Sequence, residues 1–179
     1  MPLSRADFAT PDKLSITKLG YCRPMRALVL MMLLAACASP GVEEVNPHTG
    51  VTTIASRGHT LDLKWNATLS ARAAYFERNG TEIWSIYTFV TRGDRNTPKI
   101  TSAWSHGVEL YYRRVDVRRT NCALDCNRQE NGEIVLSREL FEMLRNRGLT
   151  FHLVGKRGSY TGHLPGDAFS EVLSRVGVG

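Results

Sequence analysis

Between residues 51 and 136, short stretches of alternating or β-branched residues follow one another, with little that suits a helix. They run Val51–Ala55, Thr60–Leu69, Ser70–Arg78, Thr81–Thr91, Lys99–Trp104, Glu109–Arg119 and Glu133–Leu136. A period of two sends successive side chains to opposite faces, so each stretch reads as a half-buried β-strand. Asn79-Gly80 stands between two of them and signals a hairpin. A two-residue loop there sets Glu77 opposite Glu82, and facing like charges disfavour that register. A three-residue loop through Thr81 sets Arg78 opposite Glu82 and Phe76 opposite Trp84, and this second register is the one expected.

After Leu136 the pattern changes. Ser137 suits an N-cap, Glu139 falls in the first turn, and Leu140, Phe141 and Leu144 form an apolar stripe. Arg145 and Arg147 follow, and Gly148 ends the helix. A hairpin comes next, Leu149–Val154 and Ser159–Leu164, turned by "GKRG". Its register places Leu153 opposite Tyr160 and Phe151 opposite Gly162. Leu149, Phe151, Leu153, Tyr160 and Leu164 then share the core face. Asp167–Val176 reads as a last short helix with Phe169, Val172, Leu173 and Val176 inward. The expected fold class is α+β: mainly antiparallel β, a sandwich or curved sheet, with two short helices at one side. Residues 51–179 are assigned to one β-rich globular domain.

The stretch before this domain is of another kind. Ala27–Ala36 is a run of ten apolar residues without charge, ending at Cys37. Spanning a bilayer takes about 20 apolar residues, whereas about 7–15 make the core of a secretory signal peptide. Arg23 and Arg26 supply its positive flank, and Ala35 and Ala36 supply small residues before the cleavage point. Leu34-Ala35-Ala36-Cys37 resembles the lipobox of bacterial lipoproteins. The resemblance implies a signal peptide at 25–36, lipidation of the Cys37 sulfur, cleavage before Cys37 and acylation of the new amino terminus. Several acyl chains together make a stable anchor. Ala38 matches the pattern that Gram-negative lipoproteins carry to the outer membrane, on its periplasmic face. Residues 1–24 hold three prolines and no apolar run. They read as a stretch upstream of a true start at Met25 or as a long n-region, and are set aside from the fold. Residues 37–50, with two Pro and two Gly, read as lipidated cysteine and tether.

After Cys37 the chain has 142 residues, 18 Lys+Arg against 15 Asp+Glu, so its net charge is +3 rather than +6. That is one domain's worth of core, and a weak charge for a nucleic-acid binder, so no nucleic-acid partner is expected. The partners expected are the membrane, through the anchor, and an envelope protein or anionic glycolipid.

Four groups of residues stand out as sites. Cys122 and Cys126 are the cysteines left after Cys37, and an oxidising envelope favours a disulfide between them. Four residues along a strand span about 13 Å, too far to bridge, so "CALDC" must turn if they bond. His152 and His163 fall on the outer face of the last hairpin as diagonal neighbours, a surface pair or half of a metal site. "YYRRVDVRR" alternates so that Tyr112, Arg114, Asp116 and Arg118 share one face. Arg114 and Arg118 there form a possible surface for anionic headgroups or an acidic partner. "GKRGS" lacks the spacing of a phosphate loop, and no H-E-x-x-H, G-x-S-x-G or paired Cys-x-x-Cys appears. No catalytic residue, cofactor or metal is assigned. The expectation is a non-enzymatic, lipid-anchored binding protein, with a small-ligand or metal-binding module and a hydrolase of dispersed residues as alternatives.

Overall fold

A computed structural model describes residues 41–93, 97–120 and 127–177. Cys37, the segment 25–36 expected to be a signal peptide, and Cys122 and Cys126 lie outside them. The described chain forms eleven strands and two helices: β1 Val42–Asn46, β2 Val51–Ala55, β3 His59–Lys64, β4 Ala67–Arg78, β5 Thr81–Arg92, β6 Ile100–Ser105, β7 Val108–Leu110, β8 Tyr112–Thr120, β9 Asn127–Leu136, α1 Arg138–Leu144, β10 Leu149–Gly155, β11 Gly158–Leu164 and α2 Gly166–Val176. All pairing is antiparallel. Seven strands form one sheet in the order β1-β2-β4-β5-β9-β8, with β3 on β4 beside β2; four form a second, β11-β10-β6-β7. The fold is α+β and mainly antiparallel β, as the alternation and the two late amphipathic stretches predict.

One face of the large sheet carries the core. Its apolar members come from alternate positions of β4, β5 and β9, among them Leu69, Ala71, Ala73, Tyr75, Trp84, Ile86, Val90 and Ile134. Over one half lie the helices, where Phe141 of α1 meets Trp84 (5.1 Å between ring centres) and Phe169 of α2 (5.0 Å). Over the other half lies the small sheet, with Phe151, Leu153, Tyr160 and Leu164 buried beneath it. Ser137 caps α1 by accepting from the Leu140 N–H at 3.2 Å. The last hairpin has the register its alternation predicts, Leu153 against Tyr160 and Phe151 against Gly162.

Several expectations need correction. Thr60–Leu69 is not one strand: the chain turns at Trp65-Asn66, between β3 and β4. The segment 37–50 is not all tether, because β1 pairs along the whole of β2; Val42 and Val45 are three apart and fall on opposite faces, so no period of two marks this strand. The Asn79-Gly80 hairpin takes the two-residue loop. Both residues have left-handed backbones (φ 52° and 75°), the geometry that fits strand twist, and Glu77 does face Glu82. Each carboxylate is drawn to its own donors. Glu77 accepts from the Gly80 N–H at 3.2 Å, and Glu82 from the Trp84 indole at 3.1 Å.

Strand β8 carries the largest surprise. A bulge between Arg114 and Asp116 leaves Val115 without an opposite residue on β9. Sidedness therefore changes partway along the strand. Arg113, Asp116 and Arg118 face outward with Glu133, Asn131 and Gln129, whereas Tyr112 and Arg114 share the core side with Ile134 and Gly132. The expected single face of Tyr112, Arg114, Asp116 and Arg118 does not form.

Candidate functional site

Where the start of β6, the start of β8 and the β10–β11 turn meet, Lys99, Ile100, Thr101, Tyr112, Arg114 and Lys156 line a polar cleft of about 560 Å³. The backbone itself builds it. Lys99 sits in the left-handed region (φ 55°), uncommon for a side chain of its size. That conformation turns its carbonyl to accept from the Lys156 N–H at 3.0 Å. A Cβ on Gly155 would lie 2.8 Å from the Pro98 carbonyl oxygen, so only glycine permits this approach. Gly132 plays the same part for Tyr112, whose ring occupies the space a Cβ would need.

Beneath the cleft Glu130 is buried, and its two oxygens accept from the Lys99 N–H (2.7 Å) and the Ile100 N–H (2.9 Å). Burial pushes its carboxyl above the ordinary range; these two N–H donors and the Arg114 charge pull partly back. Burial also raises the Tyr112 phenol, with the Glu130 carboxylate adding to the shift, so the hydroxyl stays protonated at neutral pH. Among the described residues, the charged groups of Lys99, Arg114 and Lys156 have no ion-pair partner. Three cations thus line one concavity, and the carboxylate beneath it already has both oxygens in hydrogen bonds. Such an arrangement suits a phosphate or carboxylate, which guanidinium and ammonium donors bind with charge-assisted hydrogen bonds.

The residues singled out from sequence do not gather in one place. Arg114 is in the cleft. Arg118 is on the outer face, bound to Asp116 at 2.5 Å, and this contact, with the Val117 N–H, lowers the Asp116 carboxyl. His152 and His163 lie on the exposed face of the small sheet. His152 Nδ1 pairs with the Thr161 hydroxyl (2.8 Å), and His163 Nδ1 with that of Thr150 (3.0 Å). Among the described residues no group of three or more His, Cys, Asp or Glu side chains converges. Lys99, Lys156 and Tyr112 were missed as site residues. A signal for two of them was present: after Cys37 the chain has three lysines against fifteen arginines, and two of the three line this cleft.

A second concavity, about 480 Å³, opens on the outer face near the Asn79-Gly80 turn, with Phe76 and Ile83 as floor and Arg78 and Arg113 at its rim. Arg113 is engaged by Glu133 through two guanidinium nitrogens. Among the described residues the second concavity keeps one cation without an ion pair, Arg78, against three in the first cleft. Comparison with protein-family models, with curated proteins and with solved structures finds no match to this chain.

Proposed function

We propose that this chain is a lipid-anchored protein of the bacterial cell envelope, held at the periplasmic face of the outer membrane, whose β-rich domain binds an anionic group without catalysis. The single observation that carries the binding reading is the convergence of Lys99, Arg114 and Lys156 on one cleft without ion-pair partners among the described residues. The address rests on the lipobox-like Leu34-Ala35-Ala36-Cys37. The group bound is a phosphate or carboxylate, held by charge-assisted hydrogen bonds from Lys99, Arg114 and Lys156.

Two measurements test it. Intact mass of the membrane-extracted protein should begin at Cys37 with added acyl chains; an unlipidated chain that keeps the apolar run overturns the anchor. Titration of the same protein with pyrophosphate should show saturable binding that weakens with salt and is lost in Arg114→Ala. Binding that survives in Arg114→Ala, or no binding at low salt, removes the cleft from the proposal.

A further inference from the structure

The end of the molecule that carries the cleft also carries the most exposed aromatic of the described residues. Trp65, at the turn between β3 and β4, is fully exposed, and Leu63 beside it is 78% exposed. A tryptophan that buries nothing in its own fold is out of place at a solvated turn, where small polar residues and glycine serve. Its surroundings are basic. The Gly93 N–H donates to the Asn66 carbonyl at 2.9 Å, which ties this turn to the end of β5. Lys64 reaches across to the Ser159 carbonyl (2.9 Å), and Arg92 to the Arg157 carbonyl, which ties it to the β10–β11 turn. Arg92 pairs in register with Arg128, and Arg128 with Arg119, so a row of arginines crosses the sheet here. Lys156 and Arg157 extend the row. Of the described acids at this end, Asp62 is paired with Lys64 (3.3 Å) and Glu130 is buried beneath the cleft.

We infer that the Trp65 turn docks on an anionic lipid leaflet, with the indole and Leu63 at headgroup depth and Arg119, Arg128, Lys156 and Arg157 on lipid phosphates. Each part matches what an interface asks for. Tryptophan settles at the membrane–water boundary, and basic side chains within a Debye length are attracted to anionic headgroups. The tether agrees, and here the inference rests on the proposed anchor. Four residues separate Cys37 from Val42, and a chain that short reaches about 18 Å at full extension. β1, which Val42 opens, and β3, which leads to Trp65, both lie to the same side of β4. An anchored domain is thus held by the same edge of the sheet that bears this turn, with Val42 entering at the level of Ala74 and the turn lying beyond Ala67. The inference also names the source of the anion for the cleft, a lipid headgroup.

The test uses the lipidated protein reconstituted into phosphatidylglycerol vesicles whose acyl chains carry bromine, a quencher of indole fluorescence. Trp84 is buried and Trp104 is part-exposed on the small sheet, so the quenched fraction should belong to Trp65. Trp65→Ala should remove about half or more of the bromine-dependent quenching, and Trp104→Phe should leave it in place. Arg157→Glu should reduce it, as should replacing phosphatidylglycerol by phosphatidylcholine. Vesicle flotation reports the anchor separately. Protein that floats without Trp65 quenching overturns the docking and leaves the anchor intact. Protein that does not float overturns both. Equal quenching in neutral and anionic vesicles overturns the basic row as the partner of lipid phosphate.

Discussion

On the covered face of the large sheet, Tyr75, Trp84, Phe141 and Phe169 touch ring to ring, with centres 4.6, 5.1 and 5.0 Å apart. On the opposite face, built from alternate residues of the same strands, Arg72 lies over Tyr87 (5.7 Å) and Phe89 (5.2 Å), and Arg113 grips Glu133. Strand β9 shows the difference in miniature. Glu130 points to the covered side and has both oxygens on backbone N–H groups, whereas Glu133 points outward, also buried, and depends on one arginine. The covered face is held by excluding water from apolar area. The outer face keeps its polar groups and covers them with long side chains, whose stems shield what their heads bind. The lesson is that an uncovered sheet face can be highly buried without a second layer, and that its stability then resides in particular pairs.

The largest effect should come from the covered face. Phe141→Ala removes the ring between Trp84 and Phe169 and is expected to cost about 3–5 kcal/mol, read by urea unfolding. On the outer face Arg113→Ala should cost less, about 1–3 kcal/mol, because it strands a buried carboxylate that half-exposed Arg113 only partly shields. Adding Glu133→Gln to Arg113→Ala should recover part of that loss. If it recovers none, the pair is not what holds this face. Gly132→Ala tests the covered face and the cleft at one position. Its methyl would displace the Tyr112 ring, costing about 1–3 kcal/mol and weakening pyrophosphate binding at the cleft together.

The pH dependence sharpens the contrast further. Glu130 titrates above its ordinary 4.5 in the folded protein, chiefly through burial. A raised carboxyl contributes stability that is full below the unfolded value and is lost as pH rises through the folded one. Stability should therefore decline from about pH 4.5 upward, and Glu130→Gln should flatten that slope in thermal melts. The smallest effect belongs to Arg118→Ala. Its pair with Asp116 is solvated, and the midpoint of melting at neutral pH should not move.

How much of this was legible depends on the range of the interaction. The last hairpin could be written out residue by residue, because Phe151 and Leu153 must share a face with Tyr160 and Leu164, and a short turn fixes the rest. Ser137, Phe141 and Phe169 marked the helices for the same local reason. The Glu77–Glu82 pair misled because it was weighed alone. The turn preference of Asn79-Gly80 and donors on Tyr75, Trp84 and the Gly80 backbone outweigh one facing repulsion. The Val115 bulge left no mark in the alternation of β8, so Arg114 and Arg118 were read as neighbours on one face. The cleft was hidden for a plainer reason. Lys99, Arg114 and Lys156 come from three elements in two sheets, and nothing local links position 99 to position 156.

The same bulge has a bearing on how copies of this protein meet. β8 and β1 are the two ends of the large sheet, and an evenly spaced end strand is a template on which another chain can crystallise its own strand. β8 carries Arg113, Arg114, Arg118 and Arg119, and β1 carries Glu43 and Glu44. Like ends repel, but unlike ends attract, and a sheet whose two ends attract can polymerise head to tail without limit. Charge gives no protection against that growth. The misfit at Val115, which breaks the spacing an incoming β1 would need, does.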